Sequence, residues 1–194
     1  MTEPIPNRRC APAGDGRVER YNNHNSDWFL DLMKLWLGPA ATIVETGTNR
    51  AVSARKWASM VPLGRVVSID PKNETRIDPD FPNLCYVRGS SAPNKQYQHP
   101  VLNMVAECRD AGFEMTEHID LFYIDAIHSP EFINRELDHW LPHYSPRIVG
   151  GHDYNPNFMA YLKRVCDYFG QPPHIVLGDS SWFYFRNYAP AEKL

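Results

Sequence analysis

The sequence predicts an α/β fold, with a mostly parallel sheet of seven strands, an antiparallel terminal strand and helices on both faces. Five short apolar runs alternate with amphipathic segments of helical period. Repeated strand–helix units of this kind require parallel strands joined by crossover helices. Two further apolar runs, residues 174–177 and 181–186, lie too close together for a crossover. We therefore expect them to form an antiparallel pair at the edge of the sheet.

The first half of the chain contains a helix and two strand–helix units. The helix begins after residues 25–27, which are polar cap residues, and ends at Gly38. Residues 41–45 are the first buried strand, and apolar positions then recur at helical spacing, which predicts an amphipathic helix. Residues 65–70 are the second strand, and residues 71–83 are a proline-rich loop.

The second half continues the same alternation. Three more strands follow. The first begins at residue 84, the second covers residues 119–125 and the third covers residues 147–151. The helix between the last two begins at Ser129, where a cap residue, a proline and an acid occupy their favoured positions. A further helix covers residues 155–169. The fold is therefore predicted along almost the whole chain.

The composition limits the classes of function. The chain has 194 residues, of which 43% are apolar and 22% charged, as is typical of a globular domain. A formal charge of −3 without a basic run predicts no nucleic-acid partner. No apolar run approaches the ~20 residues of a membrane span. Four scattered cysteines without C-x-x-C spacing indicate reduced thiols in a cytoplasmic protein.

The domain organisation follows from the same composition. We expect residues 1–20, which are polar and rich in proline and glycine, to form a flexible arm without the apolar stretch of a secretory signal. Residues 21–194 are expected to form a single domain, because no linker or internal repeat divides them. A homodimer formed through the helix that follows residue 25 is left open.

Two predicted strands end in acidic and imidazole side chains. Asp125 follows the strand at 119–125, and His152 and Asp153 follow the next strand. If the strands are neighbours, their ends lie roughly 5 Å apart. Two carboxylates at that distance repel each other unless a cation or a shared proton lies between them. Oxygen ligands favour magnesium or manganese, so Asp125, His152 and Asp153 are candidate metal ligands.

A glycine turn after the first strand indicates a ligand site. Gly47 lies between that strand and a helix, a geometry that places free backbone N–H groups beside a ligand. Asp70 ends the second strand, about 25 residues after Glu45, which is close to the spacing at which an acid contacts a ribose in nucleotide-binding folds. A plain turn at Gly47 and a loop contact at Asp70 are the structural alternatives.

His128 has two interpretations. Near neutral pKa, an imidazole at the edge of a cleft takes a proton from a substrate hydroxyl as a general base. Alternatively, it caps the helix that begins at Ser129 or hydrogen-bonds the Asp125 loop. Its position beside Asp125 favours the functional interpretation.

Taken together, these motifs resemble class I S-adenosylmethionine-dependent methyltransferases, and most of all the group of macrocin-type O-methyltransferases and cephalosporin-hydroxylase-like proteins. The resemblance covers about residues 41–186. Its most specific parts are residues 124–129, 138–142 and 150–154, with Glu45, Thr46, Gly47 and Thr48 as the first cofactor motif, Asp70 after strand two and Gly89, Ser90 and Ser91 after strand three. Their order and spacing, more than any one motif, make the resemblance specific.

The resemblance implies a Rossmann-like class I methyltransferase fold and O-methylation of a small molecule. It implies binding of S-adenosylmethionine by Glu45, Thr46, Gly47, Ser53, Asp70, Ser90, Ser91 and Asp125. Asp125 and His128 would be the catalytic residues. Asp125, His152 and Asp153 would hold Mg²⁺ or Mn²⁺, although relatives commonly carry a further carboxylate where this chain has His152.

The sequence departs from the family pattern, and alternatives stay open. Ala51 and Val52 stand where a glycine pair is common, and Ala126 stands where glycine is usual. One alternative is an oxygenase in which His128, His152 and Asp125 hold iron. Another is a cofactor-binding protein without catalysis. A nicotinamide dehydrogenase is disfavoured, because the sequence lacks G-x-G-x-x-G and ends in an antiparallel pair.

Overall fold

The computed structural model describes residues 33–34, 36–153, 175–176 and 180–186, and this part of the chain forms one sheet with three helices. The strands are β1 (Thr42–Thr46), β2 (Arg65–Asp70), β3 (Arg76–Ile77), β4 (Leu84–Arg88), β5 (Leu121–Ile124), β6 (Ile148–Gly151), β7 (Ile175–Val176) and β8 (Trp182–Phe185). The helices are α1 (Val52–Met60), α2 (Pro100–Asp110) and α3 (Pro130–Tyr144).

The strand order in the sheet is β3-β4-β2-β1-β5-β6-β8-β7. β4, β2, β1, β5 and β6 are parallel to their neighbours in this series, whereas β8 pairs antiparallel with both β6 and β7. The predicted fold class is confirmed. The short strand β3, antiparallel to β4, lies in the segment predicted to be only a loop and brings the described sheet to eight strands.

Helices cover both faces of the sheet because the central strands are apolar on both sides. All residues of β5 are buried, as expected for a strand in the middle of a parallel sheet. On one face, Trp140 of α3 stacks on Phe122 of β5, with ring centroids 5.0 Å apart. On the other face, Trp57 of α1 lies edge-on to Tyr123 of β5. The two hydrophobic cores are therefore separated by the sheet.

The starts of α1 and α3 differ. The side chain of Ser129 caps α3 by accepting a hydrogen bond from the N–H of Phe132, as its sequence predicts. At α1 the cap residue is Ala51, which has a left-handed φ of 60° and no capping side chain. The N-terminal N–H groups of α1 therefore have no side-chain cap from residue 51, whereas those of α3 have one from Ser129.

Several predictions fall outside the described residues. The arm at residues 1–20, most of the helix that follows residue 25 and the helix at 155–169 belong to this group. No helix in the described ranges has the length and apolar character that crossing a bilayer requires.

Candidate functional site

The predicted site residues follow neighbouring strands. β5 lies between β1 and β6, and Ile124, the last residue of β5, is in register with Thr46 on one side and Gly151 on the other. Asp125 follows Ile124, and His152 follows Gly151. Because parallel strands end at the same edge of a sheet, these side chains start from adjacent backbone positions.

His128 and Asp153 form the centre of the cluster. The Nδ1 atom of His128 lies 2.8 Å from Oδ2 of Asp153, and Nδ1 of His152 lies 3.0 Å from Oδ1 of Asp153. Nε2 of His128 lies 3.7 Å from Oδ1 of Asp125. The two strand ends and the loop that begins α3 therefore meet at one spot, which we call the strand-end cluster (Asp125, His128, His152 and Asp153).

The protonation of the cluster follows from its partial burial. Burial raises the pKa of Asp125 to about 6, the electrostatic interaction with His152 opposes this shift, and the carboxylate of Asp153 adds to it. Burial lowers the pKa of His128, against the attraction of Asp153. A neutral imidazole and a carboxylate that holds its proton more tightly than usual are groups able to move protons near neutral pH.

A pocket of about 290 Å³ opens beside the cluster. Its wall combines the loop after β1, the first turns of α1 and the ends of β5, β6 and β8. The lining residues are Gly47, Thr48, Asn49, Arg50, Val52, Ser53, Lys56, Trp57, Tyr123, Asp125, His152 and Ser181. Of the predicted site residues, the structure thus brings Gly47, Ser53, Asp125 and His152 to the pocket.

Gly47 must be glycine where it lies. Its φ is +88°, and a Cβ atom added to it would lie 2.1 Å from the carbonyl oxygen of Asp125. That oxygen belongs to the backbone, so a larger residue could be accommodated only by moving the end of β5. The loop after β1 and the strand-end cluster are therefore in direct backbone contact.

Glu45 lies below the pocket. Its side chain is fully buried, and one carboxylate oxygen accepts a 2.7 Å hydrogen bond from the hydroxyl of Ser68. Burial raises the pKa of Glu45 to about 7, although hydrogen bonding to Ser53 and Ser68 opposes the shift. This position supports the predicted role of organising the cofactor loop from beneath, and that role stays a prediction.

Asp70, Ser90 and Ser91 do not line this pocket. A carboxylate oxygen of Asp70 accepts a 2.8 Å hydrogen bond from the N–H of Lys72, and the hydroxyl of Ser90 donates to the carbonyl of Ala92. The carbonyl of Ser91 accepts a 2.6 Å hydrogen bond from the indole of Trp140. The first two are contacts within a loop, the third joins the Ser91 segment to α3, and the cofactor roles of the three residues stay predictions.

Asn73 was not anticipated by the sequence. Its side-chain amide donates to the hydroxyl of Thr48 at 2.8 Å and to the carbonyls of Ser68 at 3.0 Å and Val87 at 3.2 Å. It therefore ties the ends of β2 and β4 to the loop after β1. An asparagine in a polar loop carries no sequence signal for such a role.

Glu136 is the second unanticipated residue. It is fully buried on α3, and neither of its carboxyl oxygens has a hydrogen-bond partner. Its signal was present in the sequence, because Ile133, Glu136, Leu137 and Trp140 follow the spacing of a buried helix face. An acid on an apolar helix face indicates a buried carboxyl.

In this arrangement the cluster does not fit a metal ion. Both oxygens of Asp153 are contacted by imidazole nitrogens, and the described residues contain no group of three or more His, Cys, Asp or Glu side chains that could hold a metal. His128 and His152 also both direct Nδ1 at Asp153, which leaves only the Nε2 atom of each imidazole as a metal donor. Metal binding by Asp125, His152 and Asp153 stays a prediction.

The fold is that of α/β domains that bind their ligands at the carboxyl edge of a parallel sheet, which is where the cluster lies. A family model described as a methyltransferase domain matches residues 44–154, which is more than half of the chain. The chain belongs to this methyltransferase family. The matched segment begins in β1 and ends one residue beyond Asp153, so it contains the pocket loop and the whole cluster.

Similar solved structures share the fold at low sequence identity. MycE methyltransferase from the mycinamycin biosynthetic pathway, in complex with Mg, SAH and mycinamycin VI, has a TM-score of 0.53 and 14% identity, over 83% of this chain and 46% of that one. Its complex with Mg and SAH also has a TM-score of 0.53, at 15% identity, over 82% and 46%. The chain thus spans about half the length of MycE. No curated protein matches this chain in sequence.

Proposed function

We propose that this protein transfers the methyl group of S-adenosylmethionine to an oxygen of a small molecule. The observation that carries the proposal is the pocket lined by the Gly47 loop and by Asp125 and His152 of the strand-end cluster, all of which lie in the segment that matches the methyltransferase family. We also propose that residues 21–194 act as one domain in the cytoplasm, which the buried free thiols of Cys85 and Cys108 support.

The cofactor is proposed to lie across the loop after β1. Gly47 lets the backbone approach the ligand closely, and the first turn of α1, with Ser53, presents N–H groups toward the pocket. Glu45 holds this loop from below through Ser68. Asp70 and the Ser90–Ser91 segment are proposed for the nucleoside end, and their present hydrogen bonds would have to rearrange around it.

His128 is the proposed general base. Its Nδ1–H donates to Asp153, which leaves the lone pair on Nε2, on the side that faces Asp125. Burial lowers the pKa of His128, so the imidazole is neutral near pH 7 and can accept a proton. Asp153 would then stabilise the imidazolium, as carboxylates do for catalytic histidines.

The proposed reaction is an in-line displacement at the methyl carbon. The acceptor oxygen forms the new O–CH₃ bond, the S–CH₃ bond breaks with its electron pair going to sulfur, and the hydroxyl proton goes to Nε2 of His128. The sulfonium already activates the methyl group, so the protein contributes mainly position and orientation. Asp125 is proposed to orient the acceptor hydroxyl between the pocket and His128.

The pocket also indicates the charge of its ligand. Arg50 and Lys56 line it, and among the described residues neither side chain makes an ion pair. The lining contains one acid, Asp125, against these two cations. A ligand with a carboxylate or phosphate therefore suits this wall. MycE in complex with mycinamycin VI, a small molecule, supports a small-molecule acceptor here.

Binding and turnover test the proposal separately. Calorimetry with S-adenosylmethionine and S-adenosylhomocysteine should give saturable binding of both. Methyl-labelled S-adenosylmethionine, incubated with a panel of small phenols, sugars and hydroxy acids, should then label at least one product at oxygen. Absence of binding to either cofactor form would overturn the proposal. Binding without transfer to any acceptor in a broad panel would favour the non-catalytic alternative.

A further inference from the structure

A buried acid lies beneath the cofactor loop on the face of the sheet opposite Glu45. Glu136 is fully buried on α3, and both of its carboxyl oxygens lack hydrogen-bond partners. The hydroxyl of Thr46, also fully buried, lacks a partner too. Three buried oxygen atoms, two of Glu136 and one of Thr46, therefore lack hydrogen-bond partners, and Thr46 directly precedes Gly47.

The neighbouring hydroxyls are close but not bonded. Burial raises the pKa of Glu136 to about 7, and the side chains of Ser91 and Thr46 oppose that shift, which places both near the carboxyl. Neither makes a hydrogen bond of normal geometry with it. Hydrogen bonds donated by the hydroxyls of Thr46 and Ser91 would satisfy the Glu136 carboxyl.

Such a site is unfavourable unless another state of the protein uses it. A buried polar group without a partner destabilises a fold, and a well-packed apolar side chain in its place is often more stable. Glu45 differs in part, because one of its carboxyl oxygens accepts a hydrogen bond from Ser68, whereas the other also lacks a partner. In the state described here, neither carboxyl oxygen of Glu136 has a hydrogen bond that offsets its burial.

The connections of the site lead to the proposed cofactor. The carbonyl of Thr46 accepts a 2.9 Å hydrogen bond from the N–H of Asp125, so Thr46 is linked to the strand-end cluster. Ser91 is held by Trp140, which lies one helical turn after Glu136 on α3. One face of α3 therefore touches both backbone segments that are proposed to bind the cofactor.

We propose that Glu136 is a positioning residue for the cofactor: when the cofactor binds, the hydroxyls of Thr46 and Ser91 close onto the Glu136 carboxyl and fix the two segments in their binding geometry. This inference rests on the proposed function. It assigns to Glu136 no contact with the reacting atoms. It also explains why an acid occupies an apolar helix face.

Two variants separate positioning from simple burial. Glu136→Leu fills a similar volume without hydrogen bonds, and Glu136→Gln keeps both length and hydrogen bonding. We expect Glu136→Leu to raise Tm and to weaken S-adenosylhomocysteine binding roughly tenfold, which is the equivalent of one or two lost hydrogen bonds. Glu136→Gln should stay within about threefold of the wild type. Glu131→Gln, at an exposed acid on the same helix, should change neither quantity.

The results separate the possible failures. The inference is overturned if Glu136→Leu is more stable and binds S-adenosylhomocysteine as the wild type does. If Glu136→Leu does not fold, Glu136→Asp, which shortens the side chain by one methylene, replaces it. Glu136→Asp should then weaken S-adenosylhomocysteine binding, whereas Glu136→Gln should not. Equal affinity of the Asp and Gln variants for S-adenosylhomocysteine would also overturn the inference. A wild type that binds no S-adenosylhomocysteine refutes the proposed function itself, before any variant is measured.

Discussion

At the carboxyl edge of the sheet, polar side chains at the ends of β1, β5 and β6 lie at or beside a pocket. Polar side chains at the ends of β2 and β4 instead make hydrogen bonds with neighbouring loops and backbone. In the first region, the pocket half, Asp125 and His152 line an opening of about 290 Å³. In the second, the bonded half, Asp70 and Ser90 hydrogen-bond within their own loops, and Asn73 joins three segments.

The two halves look alike in the sequence, since each has acids or hydroxyls directly after apolar strands. The difference lies in the partners that folding brings to them. Residues of the bonded half have found loop and backbone partners, while those of the pocket half have found one another and the pocket. A polar strand end is therefore a candidate for function, and its contacts decide whether it is available to a ligand.

Among the variants that compare the two halves, the largest expected effect on turnover is in the pocket half, at His128. His128→Gln keeps a polar side chain of similar length but cannot accept a proton as imidazole does. Turnover should fall about 100- to 10 000-fold, with S-adenosylhomocysteine affinity unchanged. Initial rates with the best acceptor from the panel, together with calorimetry, measure both quantities. Unchanged turnover would assign His128 to the capping role.

Gly47 tests whether the pocket half binds the cofactor. In Gly47→Ala, the new Cβ would meet the carbonyl of Asp125 at 2.1 Å in a backbone with φ of +88°. We expect S-adenosylhomocysteine affinity to fall about 100-fold, since a shift of this kind costs about 3 kcal/mol. Gly112→Ala is the matched control, because Gly112 also has a positive φ but no atoms within 4 Å of its Cβ position. Equal affinities in the two variants would contradict a ligand at Gly47.

The cations of the pocket half should give a smaller effect. Arg50→Gln and Lys56→Gln should each weaken binding of a carboxylate-bearing ligand about fivefold to tenfold. S-adenosylhomocysteine and methylthioadenosine distinguish the sources, because only the first carries a carboxylate. Loss confined to S-adenosylhomocysteine assigns these side chains to the cofactor, and loss confined to anionic acceptors assigns them to the acceptor. Lys72→Gln, after β2, is the control. No effect on any anionic ligand would show that the two charges are only solvated.

The smallest effect on catalysis is expected in the bonded half. Asn73→Ala removes three hydrogen bonds and should cost about 1–3 kcal/mol of unfolding free energy, which lowers Tm by several degrees. Turnover at a temperature where the variant is folded should stay within about threefold. Asn73→Asp, which keeps the shape but loses the donors, should show the same pattern. A large loss of turnover at full stability would make this half part of the active site.

Much of the fold could be predicted from the sequence because burial leaves a local pattern. Apolar runs identified the central strands, and Ser129 identified the start of α3. β3 could not be predicted, because two residues carry no periodicity and pair only where β4 is present. Within the described residues, the sheet therefore has one more strand than the seven expected.

Part of the geometry of the candidate site could also be predicted from the sequence. The proximity of Asp125 and Asp153 could be predicted because neighbouring parallel strands always end at the same edge of a sheet. The partners of Asp70 and Ser91 could not be predicted, since they depend on where a loop N–H and the indole of Trp140 come to lie. Glu136 could have been found from the helix face that it shares with Ile133 and Leu137.

Asp125 is the residue at which both parts of the account meet, because it lines the pocket and lies beside His128. The most direct measurement is S-adenosylhomocysteine affinity and methyl transfer on Asp125→Asn, which keeps the shape of the side chain and removes its charge. The account predicts binding within about threefold of the wild type and no detectable transfer. Full transfer by this variant would contradict it.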